Sequence, residues 1–136
     1  MNEETCIFCK IVKGEIPCYK IYEDDKFLAF LDIHPVNIGH SLVIPKDHYI
    51  NIYDTTSELM SGAIKIAKEL ATGLRDKLGA EGVNIHMNNE KPAGQLVPHT
   101  HIHVIPRYNN DGFTHWHGAR GYNPGEAEEV VEKIHL

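Results

Sequence analysis

The residues best suited to chemistry lie in one short stretch, Val97 to Arg107, which reads VPHTHIHVIPR. It places His99, His101 and His103 at every second position. Residues two apart point to the same side of a β-strand, so the three imidazoles would share one face and the residues between them the other. We expect the apolar face to pack against a helix. The histidine face would then line a site or meet solvent.

The histidine row admits three interpretations: a solvated strand face, a metal site shared by all three side chains, or a site that handles a phosphate group. At roughly 3.3 Å per residue, His99 and His103 lie about 13 Å apart along a strand, whereas zinc requires each nitrogen within about 2.1 Å. All three rings could share one ion only across a strong bend. We therefore expect the row to divide its work between two tasks.

A phosphate-handling role suits the row because imidazole is a nucleophile and a hydrogen-bond donor near neutral pH. One ring could attack phosphorus while its neighbours donate to the phosphoryl oxygens. Gly94, shortly before the row, would let the backbone approach an anion closely.

Cys6 and Cys9 form a C-x-x-C, a pattern typical of metal or redox chemistry but also compatible with two small core residues. No second C-x-x-C is present, so the remaining ligands of a zinc site would have to be histidines. His48 and one end of the histidine row are candidates. Cys18 carries no signature of a nucleophile and is interpreted as structural or incidental.

The first part of the chain predicts three strands. Residues 19–22 and 26–31 alternate or run apolar around the acidic turn 23–25, which is typical of a hairpin. His40 to Pro45 follows as a third strand, which its proline ends.

One long helix comes next. Thr55 and Glu58 have the spacing of a capping box, with Thr55 as the N-cap, and Gly79 is placed to end the helix. The apolar positions between them follow a helical period: Leu59, Ala63, Ile66, Ala67, Leu70, Leu74 and Leu78.

The rest of the chain predicts two further strands and a short final helix. Gly82 to Asn88 alternates apolar and polar residues, and a loop leads from there to the histidine strand, residues 99–106. After residue 109 the chain is Gly-rich and irregular. The final helix would have Asn123 as its N-cap and Pro124 at its first position.

These elements predict an α+β fold: an antiparallel five-stranded sheet with one long helix and short terminal helices. The sheet order does not follow from the pattern. The length of 136 residues fits a single domain over residues 1–136.

Composition excludes several classes of function. The chain is 42% hydrophobic and 24% charged, as in ordinary globular proteins, and its net charge of −6 argues against binding a nucleic-acid polymer through a basic face. No segment is apolar for long enough to span a membrane, and the acidic start is unlike a signal peptide. We expect a cytoplasmic protein without a membrane partner.

Two stretches together resemble the histidine triad family, in its Hint-like branch with a zinc-binding C-x-x-C. They are CIFCKIVKGEIPCYKIYEDDKFLAFLDIHPVNIGHSLVIPKDHY at residues 6–49 and MNNEKPAGQLVPHTHIHVIPR at residues 87–107. The family motif alternates histidine with apolar residues, and here Thr100 fills a slot that is usually apolar. The resemblance covers residues 6–107 and leaves the tail, residues 108–136, uncovered.

The resemblance implies a nucleotide hydrolase or transferase, usually a homodimer whose sheets join. His101 would attack the α-phosphorus, and His103 and His40 would lie beside the phosphate. Asp32 would bind the ribose hydroxyls. The other implied substrate contacts are the walls of a purine pocket and a loop that holds phosphate and leaving group: Ile7, Phe8, Ile11, Phe30 and Ile33 for the pocket, and Asn88, Gly94 and Gln95 for the loop.

Zinc-bearing relatives imply a structural Zn²⁺ held by Cys6, Cys9, His48 and His99. One departure concerns Leu96, which stands where relatives often carry Ser or Thr near the leaving group. The leaving group therefore stays open between an amine, as in nucleoside phosphoramidates, and a second nucleotide, as in dinucleoside polyphosphates.

The sequence thus predicts a nucleotide-binding hydrolase that forms a covalent nucleotidyl-histidine and releases a nucleoside monophosphate. Two alternatives stay open. One is a zinc enzyme that uses a metal-bound water and the histidine row as ligands. The other is a non-catalytic module that senses nucleotides or binds a partner.

Overall fold

The computed structural model describes residues 2–114, 118 and 120–136. A five-stranded sheet runs in the order β1-β2-β3-β5-β4, and every neighbouring pair is antiparallel. The strands are β1 (Lys20–Glu23), β2 (Phe27–Leu31), β3 (Ser41–Pro45), β4 (Gly82–His86) and β5 (Ile102–Arg107). The helices are α1 (Ile7–Val12), α2 (Ser57–Leu78) and α3 (Glu126–Ile134). The predicted α+β class and five-stranded sheet are confirmed.

The β1–β2 hairpin is closed by the acidic turn that the sequence indicated. The Asp24 carboxylate accepts hydrogen bonds from the backbone N–H groups of Lys26 at 2.8 Å and Phe27 at 2.7 Å. Asp favours such positions because its carboxylate can accept the hydrogen bonds that a backbone carbonyl accepts in an ordinary turn.

The two faces of the sheet carry two separate cores. On one face, Ala29, Val43 and Val104 pack beneath α2, whose buried residues are Ala63, Ile66, Ala67 and Leu74. On the other face, Leu28, Phe30, Leu42 and Ile44 pack with Phe8 of α1 and the two cysteines of the C-x-x-C. Because strand side chains alternate between the two faces, the same strands pack against α2 on one side and against α1 on the other.

The long helix begins one residue later than predicted. Thr56 is its N-cap and accepts a hydrogen bond from the Leu59 N–H at 3.3 Å. Thr55 is unavailable as a cap because its hydroxyl bonds to the Asn51 carbonyl at 2.6 Å and lies 2.7 Å from the Thr100 hydroxyl. The predicted capping box is therefore wrong. The predicted end is confirmed, since Gly79 adopts the left-handed conformation with φ 71°.

The histidine strand begins later than predicted, at Ile102. His99, Thr100 and His101 precede it, because the Thr100 N–H donates to the Tyr49 carbonyl at 2.7 Å, in the loop that follows β3. The alternation of faces still holds, since Ile102 packs in the α2 core while the histidines face the opposite way.

The C-terminal helix also differs at its start. Gly125, with φ 81°, is the N-cap of α3, so the prediction of Asn123 as the cap and Pro124 at N1 is wrong. Residues 115–117 and 119, inside the segment predicted to be irregular, lie outside the described residues. No helix within the described ranges is long and apolar enough to cross a membrane.

Candidate active site and metal centre

A cavity of about 500 Å³ opens on the α1 face of the sheet, above the point where β3 and β5 meet. Eleven of the twelve residues predicted to bind substrate or act in catalysis line it: Ile7, Phe8, Ile11, Phe30, Asp32, Ile33, His40, Asn88, Gly94, His101 and His103. Apolar side chains of α1 and β2 form one end, and histidines form the other.

His101 is buried in this cavity with one ring nitrogen engaged. Its Nδ1 lies 2.6 Å from the His99 carbonyl oxygen, which can only accept, so Nδ1 carries the proton and Nε2 keeps its lone pair. The ring of Phe8 packs edge-on against it at 5.3 Å. Burial lowers the pKa of His101 below the ordinary value of 6.5 and keeps the ring neutral. The result is an oriented imidazole with a free nucleophilic nitrogen.

His103 and His40 form a hydrogen-bonded pair whose proton positions follow from the backbone. The Val36 N–H donates to His40 Nδ1 at 3.1 Å, so the proton of a neutral His40 is on Nε2. That Nε2 lies 2.9 Å from His103 Nδ1, which must accept, so His103 carries its own proton on Nε2. Burial lowers the pKa of His40 and brings that of His103 to about 4, so both rings are neutral. His103 can therefore offer an N–H donor to a phosphoryl oxygen.

Asp32 lies at the end of β2, at the rim of the same cavity. Its Oδ1 accepts a hydrogen bond from the His34 N–H at 2.8 Å, and its Oδ2 lies 3.6 Å from His40 Nε2. The side chain keeps 20% of its surface exposed, so the carboxylate can still accept from a bound molecule.

Asp32, His40 and His103 are also close enough together to hold a cation. The proton on His40 Nε2, which the Val36 N–H dictates, occupies the nitrogen that would have to bind the ion. The arrangement is therefore a hydrogen-bonded histidine pair with a carboxylate beside it, and its tautomers disfavour a bound cation.

The loop between β4 and β5 closes one side of the cavity. Gly94 adopts φ 87°, and its carbonyl accepts from the Asn88 side chain at 3.4 Å. Gln95 is the one predicted substrate residue that does not line the cavity. Its amide oxygen accepts from the Glu90 N–H at 2.9 Å, and its amide nitrogen donates to the carbonyls of Ile50 and Val97. Its side chain thus holds the loop in place.

Four predicted metal ligands converge beside the cavity. Cys6, at the N-cap of α1, and Cys9 face His48 and His99, and the four ligand atoms lie within 4.8 Å of one another. Three of the sulfur-to-nitrogen distances, Cys6 to His99 and Cys9 to both histidines, are 3.2 to 3.5 Å. Ligands about 2.3 Å (S) and about 2.0 Å (N) from a tetrahedral zinc ion lie about 3.5 Å apart. The donor set therefore fits Zn²⁺.

The orientation of His99 also agrees with a cation at this place. His99 Nε2 donates to the Pro45 carbonyl at 2.9 Å, which leaves Nδ1 as the free lone pair facing the sulfurs. Burial, followed by the hydrogen bond to Cys6, raises the pKa of the Cys9 thiol to about 12. Thiolates in such a place need a positive charge beside them. The row does divide: His99 faces the cysteines, and His101 and His103 face the cavity.

The comparison with known families decides what kind of protein carries this site. The family model described as the HIT domain matches residues 13–110, which is most of the chain. The chain belongs to the histidine triad family. Members with similar length include the Protein hit of Bacillus subtilis strain 168, which is 44% identical over 96% of this chain and 92% of its own.

Two further relatives have names that state an activity. The adenosine 5′-monophosphoramidase hnt1 of Schizosaccharomyces pombe is 42% identical over 79% of this chain and 77% of its own. The adenylylsulfatase HINT3 of Arabidopsis thaliana is 40% identical over 80% of this chain and 55% of its own.

Solved structures of the family agree with the fold. A HIT family protein from Bacillus anthracis superposes with a TM-score of 0.87 at 40% identity, over 96% of this chain and 94% of its own. A zinc-bound histidine triad protein from Mycobacterium smegmatis superposes with a TM-score of 0.79 at 43% identity, over 83% and 82%.

Several lining residues were not predicted as site residues. Ile16, Pro17 and Cys18 follow α1 and lie against the apolar end of the cavity, and His34 lines it as well. Cys18, interpreted above as structural or incidental, is one of them. No local motif marks these positions, and only the packing of α1 onto the sheet places them at the cavity.

Proposed function

We propose that this protein hydrolyses a nucleotide at its α-phosphorus through a covalent nucleotidyl-histidine at His101. The observation that carries the proposal is the ring of His101, whose Nδ1–H is bound to the His99 carbonyl while Nε2 faces the cavity with its lone pair free. A neutral imidazole held this way attacks phosphorus without a separate strong base. The names of the two relatives with stated activities support the same reaction class.

The reaction has two displacements. His101 Nε2 forms a bond to the α-phosphorus, and the bond to the leaving group breaks, with the departing atom taking up the electron pair and a proton from solvent. Water then attacks the phosphorus and loses a proton to solvent, the bond to Nε2 breaks, and a nucleoside monophosphate is released. The Nε2–H of His103 donates to a phosphoryl oxygen in both steps and stabilises the charge that develops there.

The rest of the cavity suits a nucleoside. We assign the purine to the apolar end around Ile7, Phe8 and Phe30, and the ribose to the carboxylate of Asp32 at the rim. Asn88 and Gly94 would contact the phosphate from the loop, while Gln95 would act by holding that loop. Leu96 supplies no hydroxyl near the leaving group.

We assign a structural Zn²⁺ to Cys6, Cys9, His48 and His99. Such an ion would tie α1 and the loop after β3 to the segment that carries His101. The His99 carbonyl that orients His101 belongs to one of these ligands, so the metal centre supports the nucleophile through a single residue.

We further propose a cytoplasmic homodimer, each chain folded as one domain and joined to its partner through the β4 edge. The edge carries exposed Ile85, and the neighbouring α2 surface carries exposed Ile64. An unpaired strand edge with an apolar margin favours pairing with a second copy.

The proposal is tested by turnover of adenosine phosphoramidate and of a dinucleoside polyphosphate by wild-type protein and by two variants. His101→Ala should lose a factor of about 10⁴ or more in kcat, as expected for a nucleophile. His103→Ala should lose about 10²–10³, as expected for one hydrogen-bond donor. Tight nucleotide binding without turnover of either substrate would favour a non-catalytic sensing module instead.

A further inference from the structure

The proposed function gives no role to a histidine that contacts His103 from the neighbouring strand. His86, the last residue of β4, pairs across the sheet with His103 of β5. Their ring centroids lie 4.9 Å apart and the ring planes are inclined by only 33°, so the two imidazoles are partly stacked.

His86 is one of three histidines that contact the ring of His103. On another side, the ring of His101 lies 4.9 Å away at 65°, and His40 holds Nδ1 through one hydrogen bond. A single hydrogen bond fixes the distance of a ring but leaves it free to tilt about that bond. A flat partner on its face removes this freedom.

His86 itself has no hydrogen-bond partner among the described residues, and the residue stays accessible to solvent at the sheet edge. Desolvation of its ring against the site lowers its pKa, so the ring that meets His103 is neutral. A neutral ring without a hydrogen bond acts on His103 through its shape. We propose that His86 is a positioning residue that holds the ring of His103 so that its Nε2–H points at the phosphate. This inference rests on the phosphate-binding role of His103 in the proposed function.

If His86 acts by stacking, position 86 requires a side chain with a flat ring. It does not require a side chain that carries a proton or makes a hydrogen bond. Phe supplies a flat face of similar size without either, whereas Leu supplies bulk without a flat face. The two substitutions therefore separate stacking from both hydrogen bonding and packing.

The first test measures kcat and KM of the full-length, zinc-loaded protein. His86→Leu should lower kcat roughly ten-fold with little change in KM, because a misaligned catalytic group weakens transition-state contacts more than substrate binding. His86→Phe should restore kcat to within about two-fold of wild type. Asn84→Ala, two residues earlier on the same face of β4, is the control and should behave as wild type.

The second test needs no turnover. Nitrogen-15 NMR of the ring of His103, without substrate, should show a proton fixed on Nε2 in wild type and in His86→Phe. In His86→Leu the ring should exchange between tautomers or orientations. Failure of all proteins to turn over substrate would remove the proposed function while this spectrum still decides the role of His86.

Equal activities of His86→Phe and His86→Leu, together with identical His103 spectra, would overturn the inference. So would a ten-fold loss in His86→Phe with an undisturbed His103 ring, since that result would mean that His86 itself donates to the substrate.

Discussion

At the scale of single residues, neighbouring members of the histidine row offer opposite ring nitrogens. His99 donates its Nε2–H to the Pro45 carbonyl, so its Nδ1 faces the cysteines. His101 donates its Nδ1–H to the His99 carbonyl, so its Nε2 faces the cavity. A carbonyl can only accept, so each contact fixes the proton on one nitrogen and frees the other. One ring thereby suits a metal and the next suits phosphorus.

Asp32 should select ribonucleotides. Asp32→Ala should lower kcat/KM for a ribonucleotide substrate by about ten-fold or more, as expected for lost hydrogen bonds to a charged group, and affect the 2′-deoxy analogue less. Asp32→Asn, which can keep the bond from the His34 N–H, separates the loss of charge from a disturbed loop. Equal losses on the two substrates in Asp32→Ala would mean that Asp32 is structural.

The alternation of the row was enough to predict which side chains share a face, and the strand length was enough to predict that they serve two tasks. The tautomer of His99 was not predictable, because the carbonyl of Pro45 that fixes it is 54 residues away along the chain. The orientation of the Gln95 side chain was also not predictable, because its amide nitrogen donates to the backbone carbonyl of Ile50, 45 residues away along the chain. Such partners exist only in the folded chain.

At the scale of elements, α2 and the sheet fit closely at one point. Gly62 lies in the helix against the ring of Phe27 in β2, and a Cβ built at Gly62 would lie 2.7 Å from that ring. Phe27 is buried in the α2 core and has little room to move. Gly73, about three turns later, has no neighbouring atom within 4 Å of an added Cβ.

Gly62→Ala and Gly73→Ala should therefore have opposite effects on stability. Alanine favours helix over glycine by roughly 0.5–1 kcal/mol, so Gly73→Ala should raise the free energy of unfolding by about that amount. In Gly62→Ala, overpacking costs of about 1–3 kcal/mol should outweigh the gain. Urea unfolding of both variants checks this, and stabilisation by Gly62→Ala would refute the close fit.

The metal centre joins elements that are distant along the chain. Cys6→Ser should lose zinc and lower the melting temperature by several degrees, because binding of the metal contributes to folding free energy. Cys18→Ser, a cysteine outside the ligand set, should keep its zinc. Metal analysis of purified protein at neutral pH, without chelator, measures both. Wild-type protein without zinc would reject the site.

Element boundaries show where sequence patterns stop being informative. The period of α2 and its Gly79 end were predictable from local chemistry. The start was not, because Thr55 bonds to Thr100, in the segment before β5, and Thr56 becomes the N-cap instead. The same competition explains the histidine strand, whose first predicted residues bond to the loop at Tyr49 and not to a neighbouring strand.

At the scale of the whole molecule, the sheet places the site and the exposed edge at different positions. The cavity lies over β3 and β5, and β4 forms the sheet edge beyond them. Sequence patterns predicted five strands but not their order, because the pairing of β3 with β5 connects segments about 60 residues apart.

The proposed dimer should appear in light scattering at micromolar concentration as twice the chain mass of 15.4 kDa. Ile85→Lys, which puts a charge on the β4 edge, should shift the protein toward monomer. Ile52→Lys is the control, since Ile52 is 42% exposed against 40% for Ile85 and lies outside the sheet. A monomeric wild type would reject the dimer.

The central claim is the covalent bond to His101, and trapping it is the most direct test. Wild-type protein mixed with a substrate radiolabelled in its α-phosphate, quenched rapidly and mapped by peptide, should carry label on His101. Two displacements should also retain the configuration of a chiral α-phosphorus. Unlabelled protein together with inversion at phosphorus would show a single attack by water and contradict the account.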